Sequence, residues 1–227
     1  MAATAKVLTY TQMKDWLQIL LNQLNQADSE PFEFTPASTD LMINTAQNKV
    51  AELLDKGLLP ELETSDLSKA LDASGNYDTA SLTAIVYDSP LGIDRIRISS
   101  GKFCEITTFD EYTDMVNIDH TFVVTAPYAY LYGGTIHIEP NSGIATSIDV
   151  YYRKEPTDIS SSANCAFNIK ICETIVHYAA SIGFEWGKDL ERSERERSLA
   201  FDEIAQMNKN YYDKIGVTEE TNVDLTE

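Results

Sequence analysis

Residues 127–156 read PYAYLYGGTIHIEPNSGIATSIDVYYRKEP, and this stretch decides the fold. Tyr128–Tyr132 and Thr135–Glu139 each suit a strand and flank Gly133-Gly134. A two-residue Gly-Gly loop between such runs predicts a β-hairpin, because the favoured hairpin turns need positive φ. Pro140-Asn141-Ser142-Gly143 supplies a second turn, Ser147–Arg153 a further strand, and Pro156 stops it. Hairpins in succession predict an antiparallel meander.

Working outward, Arg95-Ile96-Arg97-Ile98 alternates with period two and predicts a strand with one buried face. Residues 82–87 also read as a strand, while 65–80 is polar and patternless. Thr108 with Glu111 matches a capping box and predicts a short helix running to about residue 115.

The two ends of the chain carry helical periodicity. Met13, Trp16, Leu17, Leu20, Leu21 and Leu24 recur at three- and four-residue spacing, predicting a helix over 11–25 opened by a Thr9/Gln12 capping box. Residues 30–36 place two prolines around Phe32 and Phe34, which reads as a rigid connector pinned to the core. A second helix is predicted over 39–56 from Ile43, Ala46, Val50, Leu53 and Leu54, with Gly57 as a left-handed C-cap and Pro60 blocking continuation. From Cys165 to Trp186 apolar residues nearly encircle the helical wheel, which predicts a central helix capped by Ser162 or Asn164. A last helix over 189–214 turns Ala200, Ile204, Met207 and Tyr211 inward, and residues 217–227 form an aperiodic acidic tail.

The expected class is therefore α+β: a helical bundle built from N- and C-terminal helices, with an inserted antiparallel β-meander or sandwich. The expected parts are a helix pair over 1–61, a β-rich insertion over 62–156, a second helix pair over 157–215 and a flexible tail over 216–227. No apolar run approaches the roughly 20 residues that span a bilayer, so no membrane partner is expected. The first residues lack a basic segment followed by an apolar one, so no signal peptide is expected. Three cysteines suggest no disulfide framework. The 17 Lys and Arg against 36 Asp and Glu give a net charge of −19. Phosphate backbones are gripped by cations that displace counterions, so this chain is a poor candidate for gripping DNA; either it surrounds DNA without adhering to it, or its acidity serves only solubility.

A search for chemistry yields no coherent constellation. His120, His137 and His177 are scattered, with no HExxH and no zinc spacing. Cys165 and Cys172 read as two positions on one helix about 10 Å apart, too far for a disulfide. Cys104 could approach His120 or His137, but a packed strand cysteine is the simpler reading. Neither a P-loop, a GxGxxG nor a nucleophile elbow is present, and no cofactor or metal is expected. Two clusters remain as candidate interface. In 189–197, Asp189, Glu191, Arg192, Glu194, Arg195 and Arg197 mix signs at helical spacing, either a solvated face or a subunit contact. Tyr128, Tyr130 and Tyr132 share one sheet face, either packed on helices or open to a partner.

The 127–156 segment resembles the core of bacteriophage head-to-tail adaptor (connector, or neck-ring) proteins, with its PYAY opening, its hairpin, IHIEP, a further strand and YYRKEP. The preceding ITTFDEYTDM, residues 106–115, resembles their short helix between strands. The resemblance extends over residues 8 to 213 through the flanking helix pairs. It implies a non-enzymatic virion protein made in the host bacterial cytoplasm. Such a protein forms a ring, commonly a dodecamer, below the portal, extends the DNA channel and gives the tail its platform for assembly and genome ejection. Its expected partners are further copies of itself, the portal protein, and the tail tube, nozzle or next neck ring, with double-stranded DNA passing through unbound. The acidic tail would be a docking arm. The alternatives are another tail or receptor-binding virion component and, further off, an enzyme with a dispersed site.

Overall fold

In a computed structural model, residues 7–22, 34–84, 92–118, 127–139 and 146–215 are described. Among them the order is α1 (Tyr10–Asn22), α2 (Pro36–Leu53), β1 (Glu63–Ala70), β2 (Asn76–Asp78), β3 (Ile93–Ile98), β4 (Glu105–Thr107), α3 (Phe109–Ile118), β5 (Tyr128–Tyr132), β6 (Thr135–Glu139), β7 (Ser147–Arg153), α4 (Ile169–Trp186) and α5 (Leu190–Ile215). The class is α+β. Two compact units divide the chain: Met1–Glu61 with Pro156–Glu227, and Leu62–Glu155.

The first unit is helical, and α4 is its centre: α1, α2 and α5 each pack on it. The apolar residues that encircle α4 explain this, since Ile171, Cys172, Ile175, Val176 and Ala179 are all fully buried. Each buried isoleucine contributes roughly 2–3 kcal/mol by leaving water. Met13, Leu17 and Leu21 of α1 and Met42, Ile43, Ala46 and Val50 of α2 complete the core. Gly183 permits the closest approach. A Cβ there would stand 2.6 Å from Leu21 Cδ2 and 3.1 Å from Met42 Sδ, so side chains of α1 and α2 rest on bare α4 backbone.

Helix boundaries follow local caps where these exist and tertiary contacts where they do not. At α1 the expected box forms, Thr9 N donating to Gln12 Oε1 (2.9 Å) and Gln12 N to Thr9 Oγ1 (3.2 Å). α2 begins earlier than expected. Thr35 caps it by accepting from Ser38 N (3.2 Å), and Pro36 is its first residue instead of part of a connector. Proline suits that position because its missing N–H would have had no helical partner. α2 also stops early, at Leu53, and Gly57 is not a left-handed cap: it lies in a 3-10 turn over Lys56–Leu58 with the Tyr211 ring of α5 where a Cβ would be. The stop is tertiary. Asn208 of α5 donates to Leu53 O (3.0 Å) and accepts from Asp55 N (2.8 Å), while Tyr212 donates to Asp55 (2.7 Å).

α4 starts at Ile169, not at Cys165. Its cap is Asn168, which accepts from Lys170 N and Ile171 N. Asn164 instead accepts from Tyr10 N (3.0 Å). Cys165 therefore precedes the helix, and the expected two-turn separation from Cys172 does not hold. Its buried thiol hydrogen-bonds to that of Cys172, and this contact together with burial raises its pKa. The expected connector residue Phe34 is half-buried, whereas Phe32, Leu24 and the tail over 217–227 lie outside the described residues.

The second unit holds two sheets around one core. Strands β1, β7 and β3 form a three-stranded antiparallel sheet in that order, and β2, β6, β5 and β4 form a mixed sheet in which only β4–β5 is parallel. The Gly133-Gly134 hairpin forms as expected, both glycines having positive φ (60° and 79°). The meander does not continue, because β7 leaves for the other sheet, and the turn expected at 140–143 lies outside the described residues. The patternless 65–80 stretch contains β1 and β2, whereas Leu82 to Ala84 are not strand and the rest of the expected 82–87 strand is outside the described residues. Ile96, Ile98, Ile148 and Val150 from one sheet meet Ala129, Ile136 and Ile138 from the other. Leu62, at the entrance to this unit, and Tyr152 are buried with 2 % and 1 % of their surface exposed.

Candidate functional site

The charged run at the start of α5 is split between two duties. Asp189 caps the helix by accepting from Arg192 N (3.2 Å) and pairs with the Arg192 side chain (3.4 Å), whose guanidinium lies over the Phe184 ring at 5.9 Å. Arg197 donates to Glu185 of α4 (2.5 Å), and the neighbouring Glu196 meets His177 Nδ1 at 2.7 Å. Trp16 of α1 sets its ring edge-on to His177, 5.5 Å away. Buried Ser193 donates to Ser181 O (2.9 Å), and Thr174 to Glu203 (2.7 Å). These contacts dock α5 on α4. The outward half is different: Glu191, Glu194 and Arg195 are exposed, together with the apolar Leu190, Leu199 and Phe201. Asp189, Arg192 and Arg197 are thus positioning residues of the helix pair, and only Glu191, Glu194 and Arg195 of the expected set face outward.

The tyrosine face is split in the same way. Strand register carries the construction. With Tyr132 opposite Thr135, Tyr130 falls opposite His137 and Tyr128 opposite Glu139. On the far side of β6, Asn76 and Asp78 of β2 continue these rows, and Glu105 and Thr107 of β4 extend them beyond β5. This is the face turned away from the core, since Ala129, Ile136 and Ile138 point inward. Tyr130 is sandwiched, stacked on His137 (centroids 4.8 Å apart, 9° between planes) and on Tyr112 of α3 (4.6 Å, 21°). It is only 8 % exposed, so it supports the face and cannot touch a partner. Tyr132 is 60 % exposed and its ring leans on Phe109 at 4.6 Å. Tyr128 is half-buried. α3 is held over the sheet edge by the expected box, Thr108 N donating to Glu111 Oε2 (3.0 Å) and Glu111 N to Thr108 Oγ1 (3.2 Å). Those bonds lower the Glu111 pKa, the Thr108 backbone amide contributing most.

Phe109, Tyr112 and His137 are members of this aromatic cluster that the sequence reading did not select. His137 was accessible in principle, because a two-residue loop fixes the register that sets it beside Tyr130. Phe109 and Tyr112 were not, because only the tertiary placement of α3 brings them there.

The chemistry searched for in the sequence takes a definite form here. Cys104 packs against the inner core, and burial pushes its thiol up to about 12. His137 lies on the opposite, outer face, and His120 is outside the described residues. Among the described residues no group of three His, Cys, Asp or Glu side chains could hold a metal ion. Among them, too, no helix is long and apolar enough to cross a membrane. No family model matches this chain, and no curated protein matches it.

Proposed function

We propose that this chain is a structural subunit of the neck of a tailed bacteriophage, assembling as a ring below the portal to extend the DNA channel and receive the tail. The observation that supports this most is the architecture. A helical unit built from both ends of the chain, with a β unit inserted between α2 and α4, follows the order of elements on which the adaptor resemblance rests. The exposed side of α5 suits a contact between copies, because Leu190 and Leu199 are interspersed with Glu191, Glu194 and Arg195. Such a surface gives register through charge and adhesion through apolar area, and a contact between unlike patches forms a ring when the rotation from copy to copy closes. The net charge of −19 favours a channel that DNA slides through without adhering. In this reading the portal lies on one side, the tail tube, nozzle or a further neck ring on the other, and the protein reaches the virion neck after synthesis in the host cytoplasm.

The test is location. Cryo-electron microscopy of virions containing this chain with a small fused tag should show ring density between portal and tail carrying the tag. Tailed particles in which the tag sits elsewhere, or is missing, would refute the neck assignment.

A further inference from the structure

The outer face of the mixed sheet has a charge pattern that packing does not explain. Residues 70–94 and 103–152 contain no lysine and no arginine. All four strands of the mixed sheet and α3 fall within those limits. The basic residues of this unit, such as Lys69, Arg95, Arg97 and Lys102, belong to the three-stranded sheet and its turn. The mixed sheet therefore presents carboxylates alone. Asp78, Glu105 and Glu139 lie in the outward rows of the sheet, and Asp110 and Asp114 stand exposed one turn apart on α3. Beside Asp78, a hollow lined by Asp72, Asn76, Thr135 and His137 adds another carboxylate. Among these acids are exposed aromatic rings, Tyr132 at 60 % and Phe109 at 38 %.

Two physical facts identify what such a surface takes. Like charges gathered without a counter-charge repel, and a partner of opposite sign relieves that repulsion on binding. Exposed aromatic faces attract cations, arginine above all, and supply the apolar area that carboxylates lack. Phosphate is excluded by sign. A second copy of the chain would also arrive with a net charge of −19.

We propose that the outer face of the mixed sheet, with the N-terminal half of α3, is a docking surface for a basic, arginine-bearing segment of another protein. Tyr132 and Phe109 receive the guanidinium groups and their apolar stems, Glu105 and Asp110 pair with the charges, and buried Tyr130 with Tyr112 and His137 holds the platform rigid. The inference stands apart from the neck reading, since it names the chemistry of the partner and not its place in a particle.

Hydrogen-exchange mass spectrometry on the full chain tests this. The probes are a short peptide alternating arginine with leucine, its glutamate-for-arginine counterpart, and a DNA duplex, each at physiological salt. The arginine peptide should protect α3, β4 and β5, and the other two probes should protect nothing there. Tyr132→Ala should weaken the arginine peptide about tenfold and Glu105→Lys roughly fivefold. Asp213→Asn on α5, an exposed acid away from this face, should leave its affinity unchanged. Both of the first two positions are exposed, and an unaltered denaturation midpoint confirms that the variants fold. Protection spread over the whole acidic surface, with the same affinity in all three variants, would show charge attraction alone and overturn the proposal. So would protection of α3 and β5 by concentration of the chain itself, which would make the occupant a second copy.

Discussion

The two sheets of the β unit share one core but are fastened by opposite means. The three-stranded sheet is irregular, with register shifts at Asp66/Lys69 and at Ile93/Arg95, and buried charge fastens it. Asp66, 7 % exposed, accepts from Thr83 N (2.7 Å), Thr83 Oγ1 (2.5 Å), Tyr152 Oη (3.0 Å) and Lys69 Nζ (3.2 Å). Asp149 accepts from Ser68 N (2.7 Å) and takes Arg97 through Nε and Nη2 (2.9 and 2.6 Å). The mixed sheet has neither device on its outer face and relies on stacked rings, with Tyr130 between Tyr112 and His137. This contrast sets which groups each sheet leaves exposed. A sheet whose polar groups are consumed internally has little left to offer, whereas the one held by stacked rings keeps Glu105 and Tyr132 exposed.

The strongest way to break this comparison is Asp66→Ala. It strands two backbone or hydroxyl donors of Thr83, the Tyr152 hydroxyl and the Lys69 ammonium at once. Urea denaturation should show a loss of about 3 kcal/mol. A loss below about 1 kcal/mol would mean the β1 irregularity does not depend on that carboxylate.

The same residue gives a pH signature. Burial by itself would raise the Asp66 pKa, but the hydrogen bonds from Thr83, Tyr152 and Lys69 overcome it and hold the group at about 2, against 3.8 ordinarily. A depressed folded-state value stabilises the fold above the unfolded pKa and is lost as pH falls through the folded one. About 2 kcal/mol should therefore disappear between roughly pH 4 and pH 2. Asp149, lowered by Ser68 N and then Arg97, contributes in the same direction. The stability gap between wild type and Asp66→Asn, followed by denaturation at each pH, should narrow across that window. A constant gap contradicts the assignment.

On the mixed sheet, Tyr130→Ala should cost about 2 kcal/mol, since it opens a void under Tyr112 and His137. That loss should be flat between pH 2 and 4, unlike the Asp66 effect. Ser68, at φ 55° in the β1 irregularity, is in a region that favours glycine. Ser68→Gly should raise the unfolding free energy by up to about 1 kcal/mol, because its amide can still reach Asp149. Tyr132→Ala is the smallest effect, within about 0.5 kcal/mol, as befits a ring directed at solvent.

Much of the fold was legible because it rests on local signals. The Gly133-Gly134 turn, the Thr9/Gln12 and Thr108/Glu111 boxes, the encircled α4 and the narrow stripe of α5 are short-range patterns with one structural solution. What escaped depended on contacts distant in sequence. β1 reads as polar because Asp66 is matched by Thr83 and Tyr152 as well as by Lys69, and periodicity cannot connect the first two to it. The end of α2 was placed at Gly57 by the usual rule, whereas Asn208, more than a hundred residues away, supplies the cap. In the candidate surfaces, spacing identified the right residue types but not their duty. Arg197 and Arg192 proved to be turned toward α4 while Glu194 and Arg195 face out, and one tyrosine of the three carries the exposed ring.

Native mass spectrometry of the full chain, alone and mixed with a candidate portal protein, tests the central claim of a ring subunit most directly. The account predicts closed oligomers, centred on twelve copies when portal is present, that fall apart when the exposed Leu190 and Leu199 of α5 are replaced by glutamate. A chain that remains monomeric at every concentration and ignores portal would contradict it.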